Sequence, residues 1–277
     1  FKRLEIRGTL LLAQEGVNGT VASNASAIET LIMYIRQWPG FASLQIKYSY
    51  HDVNPFYRAK VKLKKEIVTM GKQRIDVPKY TAKHVNADEW DQLLTDPECL
   101  VIDTRNDYEV EIGTFDNAVN PNTETFRQFP EYIEQHLDKN KQTKIAMFCT
   151  GGIRCEKASA YMQAQGYENV YQLQGGILQY LEDKQGQDSA WQGDCFVFDN
   201  RVAVDKHLKK SIYDQCYACR RPITDEDKKH VAYVEGVSCH RCVNEHTEDD
   251  KERFSQRQKP VSYYTSDAAD DMASVDL

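Results

Sequence analysis

KIAMFCTGGIRCEKASAYM, residues 144–162, is the stretch whose reading decides the fold. KIAMF is a short apolar run of the kind that makes a buried parallel strand. Cys149 follows it, then the glycine-rich turn CTGGIR, then a helical pattern starting near Cys155 and running through EKASAYMQAQG. Strand, turn and helix in that order form half of a βαβ unit. Working outward, CLVIDTR (99–105) and NVYQL (169–173) are two more short apolar runs. Helical patterns lie between and around them: NADEWDQLL, capped by Asn86, TFRQFPEYIEQHL, and GGILQYLED. The alternation predicts an α/β domain with a doubly wound parallel sheet over about 80–185. Cys149 then stands at the C-terminal end of a strand, where such sheets place their sites.

The residues before it read differently. GTLLLA (8–13) is strand-like, and EGVNGT carries an Asn-Gly turn into TVA (20–22). Ser26 and Glu29 have capping-box spacing for the helix AIETLIMYIRQ, which Pro39-Gly40 ends. LQIKYSY (44–50) reads as a strand, and FKRLEIR at the start as the tail of a helix. Together they predict a ferredoxin-like α+β domain over 1–75 that lacks its first strand and part of its first helix. RAKVKLKKEIV (58–68) adds a strand with Ala59, Val61 and Leu63 on one face and Lys60, Lys62 and Lys64 on the other. Residues 186–260 are polar and cysteine-rich, and 261–277 form an acidic tail expected to be solvated and disordered.

The net charge of −7 over 277 residues excludes a uniformly basic nucleic-acid binder but leaves room for a local basic face. No apolar run approaches the roughly 20 residues of a membrane span. No signal peptide is visible, and a chain that begins at Phe1 is expected to lack its natural start. Four of the eight cysteines form two CxxC pairs, which reads as metal or redox chemistry in a reducing, cytoplasmic compartment.

The turn after KIAMF has a chemical logic. A thiolate is the reactive form of cysteine, and cations or a helix N-terminus lower its pKa by several units. Thr150, Gly151, Gly152 and Ile153 let successive amide N–H groups point inward as an anion cradle. Arg154 is expected to close the loop with planar donors, so that Cys149 and Arg154 are the catalytic pair. The bland reading, a buried cysteine beside an ordinary β–α turn, explains none of these companions. Cys155 is read either as a resolving thiol or, preferably, as a space-filling one. Cys-x4-Arg is one residue tighter than the phosphatase loop and resembles the CxxGxR loop of rhodanese domains. VIDTRNDYEVEIGTFDNAVN (101–120) is similar to their upstream signature through Asp103, Arg105, Glu109 and Gly113, and VYQLQGGI (170–177) to their closing segment. Thr150 departs from thiosulfate-using rhodaneses, which commonly carry a base there; that weakens thiosulfate as the natural substrate.

Taken over nearly the whole chain, EGVNGTVA, KVKLKKEIVTMG, CTGGIRCEKASAYM and CYACRRP…YVEGVSCHRC resemble the tRNA uridine(34) hydroxylase family. The resemblance implies an acylphosphatase-like N-terminal domain, a rhodanese domain and a cysteine-rich region. It also implies an oxidoreductase of tRNA modification, forming 5-hydroxyuridine at the wobble position with molecular oxygen. No haem, flavin or nicotinamide fingerprint is evident. The tRNA anticodon loop would then be the partner. Residues 54–79 hold eight Lys and Arg against two acids, and Arg58, Lys60, Lys62, Lys64 and Lys65 beside Phe56 and Tyr57 are the expected RNA-binding face. A lysine-protected strand edge is the alternative. KHLKK (206–210) is a weaker basic patch. A sulfurtransferase carrying a Cys149 persulfide, and a non-catalytic RNA-binding scaffold, are the competing functions.

Cys216-x2-Cys219 and Cys239-x2-Cys242 have the spacing of a zinc ribbon or knuckle. Two disulfides or four free thiols satisfy the same pattern. Four sulfurs leave no open position, so a metal here would be structural.

Overall fold

The computed structural model describes residues 1–72, 75, 77, 80, 82–137 and 144–258. Its residues fall into two compact units. One comprises Phe1–Gln215 with Arg221–Thr224; the other comprises Cys216–Arg220 and the residues from Asp225. The acidic tail lies outside the described residues, as do Arg74 and Lys79 of the basic stretch.

In the first unit, strands β1 (Arg7–Ala13) and β2 (Gly16–Ala22) form an antiparallel hairpin, followed by helix α1 (Ala25–Arg36). Strand β3 (Ala59–Leu63) pairs parallel with β1, giving the order β2-β1-β3. Three expectations are corrected here. Helix α1 is capped by Asn24, whose Oδ1 accepts the Ala27 N–H at 2.9 Å; Ser26 already lies inside the helix. LQIKYSY makes no strand, because no backbone forms a ladder with it among the described residues. The alternation of β3 hides no apolar face: Val61 is 52% and Leu63 86% exposed.

The α/β domain holds β4 (Lys83–Val85), α2 (Ala87–Thr95), β5 (Cys99–Asp103), α3 (Asp107–Val110), β6 (Gly113–Phe115) and α4 (Phe129–His136). It continues through β7 (Lys144–Phe148), α5 (Ile153–Ala164), β8 (Val170–Leu173) and α6 (Gly176–Asp183). Four strands form a parallel sheet in the order β4-β8-β7-β5. Asn86 caps α2 in a reciprocal box with Glu89. Helices cover both faces, so β7 is apolar after its first residue, Lys144. Ala146 and Phe148 pack with Trp90 of α2 and Tyr180 of α6; Ile145, Met147 and Cys149 pack with Phe129 of α4 and Met162 of α5.

Residues beyond α6 complete this domain. Strand β9 (Trp191–Gly193) pairs antiparallel with β6, and β10 (Cys195–Phe196) with β11 (Ala203–Val204). Trp191 joins Phe115, Phe148 and Tyr180 in an edge-to-face cluster, with Phe115 at its centre 4.8–5.1 Å from the other three rings. The cluster packs beneath the end of β7, so the start of the thiol loop has a rigid base. In the second unit the last described helix is α7 (Glu248–Gln258). No helix among the described residues is long and apolar enough to cross a membrane.

Candidate active site

The end of β7 delivers Cys149, and the glycines behind it turn the chain sharply into α5. Gly152 has φ +91°, a conformation that needs glycine, and its N–H donates to Cys149 Sγ at 3.1 Å. The loop is fastened from below. Ile177 N–H donates to the Cys149 carbonyl at 3.0 Å, and Leu178 N–H to that of Thr150 at 3.2 Å. These donors belong to the first turn of α6, which the QGG sequence allows to come close. At Gly176, with φ +70°, any Cβ would collide with the Cys149 carbonyl oxygen.

Arg154 is placed differently from expectation. Its guanidinium turns to Glu109, with Nη1 donating to Oε1 at 2.5 Å and Nη2 to Oε2 at 2.8 Å. The pair is buried, and it reaches Cys149 through its charge rather than by enclosing the sulfur. Physical need explains the turn. A buried guanidinium requires a carboxylate, and Glu109 is the residue that supplies one. Burial alone would push the Glu109 carboxyl up; the charge and hydrogen bonds of Arg154, the charge of Arg105 and the Asn106 N–H hold it below the usual range.

The upstream signature assembles around this pair. Arg105 donates through Nε to Asp103 Oδ1 at 2.9 Å and through Nη2 to Asp103 Oδ2 at 2.6 Å. Its remaining donors take the carbonyls of Glu109 at 3.2 Å and Gly113 at 2.6 Å. Asp103, Arg105 and Glu109, with the half-buried Gly113 carbonyl, thus form one network whose last link is the buried Arg154. Thr150 Oγ1 accepts from Arg154 and lies 3.4 Å from the Phe196 carbonyl.

Cys149 is 1% exposed, yet the loop above it is open: Gly151 and Ile153 are exposed, and a Cβ on Gly151 would meet nothing within 4 Å. Desolvation pushes the thiol up. The Cys155 thiol, the Arg154 charge and the backbone N–H groups of Cys155 and Arg154 outweigh it and bring it well below the usual thiol range. Cys155 moves the opposite way: burial and the neighbouring Cys149 push its thiol up, and its Sγ lies 3.5 Å from Thr104 Oγ1.

Two residues at this site have no signal in the motifs. Phe198 is 65% exposed and lies over the Arg154 guanidinium, 5.8 Å from ring centre to Cζ. Lys47, from the domain that carries β1–β3, donates to the Gly175 carbonyl at 2.5 Å beside the loop. Both arrive by tertiary packing from far along the chain. Arg58, Lys60, Lys62, Lys64 and Lys65 are all exposed, on β3 and its flanks. Nothing brings them into contact with the thiol loop among the described contacts.

The four CxxC sulfurs come together in the second unit, all within 4.8 Å of one another. Cys216–Cys242 and Cys219–Cys239 are each 3.9 Å apart and Cys239–Cys242 3.7 Å, and none is a disulfide. A tetrahedral Zn–S distance of about 2.3 Å requires sulfurs about 3.8 Å apart, so the set fits a zinc ion.

Comparison with known proteins gives two domain matches. A profile described as "UPF0176 acylphosphatase like domain" matches residues 1–67, and one described as "Rhodanese-like domain" matches residues 86–183. Among solved structures, the chain is similar to the rhodanese-like domain of an Anabaena protein, at 17% identity over 41% of this chain and 80% of that one, TM-score 0.34. It is similar to a single-domain sulfurtransferase of Saccharomyces cerevisiae at 20% identity, over 37% of this chain and 91% of that one, TM-score 0.32. A human single-domain sulfurtransferase matches at 20% identity, over 37% of this chain and 97% of that one, TM-score 0.31.

Proposed function

The chain has the domain architecture of the UPF0176 (tRNA uridine hydroxylase) family, and from that premise we propose that it is a cytoplasmic enzyme hydroxylating the wobble uridine of tRNA with molecular oxygen. The rhodanese-like domain supports a sulfurtransferase-like or related activity; the hydroxylation is the finer reading. One observation carries it: a thiol held low by the Cys155 thiol, the Arg154 charge and loop N–H groups, at the start of a turn whose Gly151 and Ile153 are exposed.

Cys149 is the nucleophile. Its thiolate adds to C6 of the uracil ring, and the C5=C6 electron pair moves onto the C4 oxygen as an enolate. Carbon C5 of the enolate attacks oxygen, and a proton completes a C5 hydroperoxide. Two equivalents of a thiol reductant cleave the O–O bond, leaving the C5 hydroxyl, water and a disulfide. Loss of the C5 proton and departure of the Cys149 thiolate restore the ring. Arg154, fixed by Glu109, stabilises the thiolate through its charge at entry and departure. Phe198 offers a ring on which a flipped base stacks. The basic flank of β3, with Arg58, Lys60, Lys62, Lys64 and Lys65, tracks the phosphates. Cys216, Cys219, Cys239 and Cys242 hold a zinc ion whose contribution is folding energy for the second unit.

Nucleoside analysis of tRNA from cells lacking the protein tests the reading. 5-Hydroxyuridine disappears, and returns with the wild-type chain but not with Cys149→Ser. The same amide nest also suits the terminal sulfur of a persulfide, which favours sulfur transfer as the second reading. Loss of a thiolated base instead, with one extra sulfur in the intact mass, identifies it.

A further inference from the structure

We propose that Lys47, carried by the acylphosphatase-like domain, is the second cation of the thiol site and supports the negative charge formed there on sulfur and substrate. The inference rests on the thiolate reading of Cys149. The residue after Cys149 is the uncharged Thr150, and Arg154 is the one basic residue of the loop. A cation from outside the domain stands close by. Lys47 lies in the segment between α1 and β3, which has neither helix nor strand. Its Nζ donates to the Gly175 carbonyl, and a Cβ on Gly175 would collide with that nitrogen. Gly175 and Gly176 in turn face Gly152, whose N–H holds the sulfur; a Cβ on Gly152 would lie 3.8 Å from the Gly175 carbonyl carbon and from the Gly176 nitrogen. The ammonium therefore sits where the QGG turn meets the thiol loop. An ammonium has three N–H donors, and Gly175 takes one.

The charges around it fit the role. Burial lowers the Lys47 pKa, and the negative charges of Cys149, Glu182 and Asp183 work against that lowering. Of the other groups facing Cys149, Arg154 on α5 is committed to Glu109 on α3, and burial and the neighbouring Cys149 push the Cys155 thiol up. Lys47 thus adds its charge to the site from outside the thiol loop. When the S–C6 bond forms, the π pair of the ring ends on the C4 oxygen. Lys47 donates a hydrogen bond to that oxygen and keeps its proton, so no further reactant is needed. A ring with a carbonyl conjugated to its double bond is the substrate class this geometry serves.

The test follows carboxamidomethylation of Cys149 by iodoacetamide against pH, by peptide mapping of the full chain, in wild type, Lys47→Met, Lys47→Gln and Lys47→Arg. Gln keeps a donor for the Gly175 carbonyl and loses the charge; Arg keeps both. The wild-type midpoint falls well below the free-cysteine value of about 8.5. Met and Gln raise it by a measurable shift, and Arg restores it. In tRNA hydroxylation, Met and Gln lower kcat by at least about tenfold with little change in KM. A Met or Gln midpoint equal to the wild type overturns the role of Lys47 and leaves the thiolate reading standing. A wild-type midpoint near the free-cysteine value of about 8.5 overturns both.

Discussion

At the scale of single residues, the decisive partnership is Glu109 with Arg154. Sulfur chemistry in this loop needs a fixed positive charge near the thiol, and a guanidinium left alone in a buried site would be too costly to keep there. Glu109 resolves the conflict at the expense of direct contact between Arg154 and Cys149. Replacing Glu109 by Gln removes the countercharge while preserving shape. The expected loss is about 3 kcal/mol of stability, read by urea denaturation at pH 7. The pH profile discriminates this from a simple packing defect. The Glu109 pKa is lower folded than unfolded, so its contribution is fully present above the ordinary carboxylate range and is lost as pH falls through the lowered value. Glu109→Gln therefore loses part of the acid limb of the wild-type stability curve. An unchanged acid limb would show that the carboxylate is not held low by Arg154.

Among the elements, the thiol loop depends on the start of α6 as much as on β7 and α5. The N–H groups of Ile177 and Leu178 reach the Cys149 and Thr150 carbonyls only because Gly176 lacks a side chain. Gly176→Ala meets both a left-handed backbone and the Cys149 carbonyl oxygen. It should cost about 2 kcal/mol and slow Cys149 alkylation at pH 7, whereas Ala at the open Gly151 should do neither. Equal behaviour of the two variants would remove α6 from the account. Local signals made much of this legible. KIAMF is β7 to the residue, and Asn86 with Glu89 caps α2, because apolar runs and caps act over a few residues. LQIKYSY failed since a strand exists only through its neighbour, and Asn24 outcompeted Ser26 for the cap by standing one residue before the helix. The DxR…E…G residues were visible as a motif, but their joining into one network through Arg105 is a tertiary fact. Neither Phe198 nor Lys47 was legible as a site residue: Phe198 lies in no motif, and Lys47 lies in LQIKYSY, which reads only as a strand.

For the whole molecule, the contrast between the two units is energetic. The first has two apolar clusters flanking its sheet, and its N-terminal domain is tied to the α/β domain by a buried lysine: Lys157 donates to Glu66 at 2.8 Å, to Glu15 at 3.1 Å and to the Val68 carbonyl at 2.8 Å. The second unit has little apolar material among its described residues. Its buried hydrophobic side chains are three of the four cysteines, Cys216, Cys239 and Cys242, and Phe254 of α7. Such a segment needs a staple, and the thiolates stand at the spacing of a zinc tetrahedron. The protein as purified under reducing conditions is therefore expected to hold one zinc ion per chain by elemental analysis. Stripping the ion with a chelator should unfold the second unit and expose Cys216, Cys219, Cys239 and Cys242 to alkylation. The slow-exchanging amides of β5, β7 and β8 should stay protected, because no metal contributes to their core. Cys216→Ser, leaving three sulfurs, should reproduce the chelator result without one. Should all four cysteines instead resist alkylation in a metal-free chain that remains folded, the unit is held by its few apolar contacts and the zinc assignment falls.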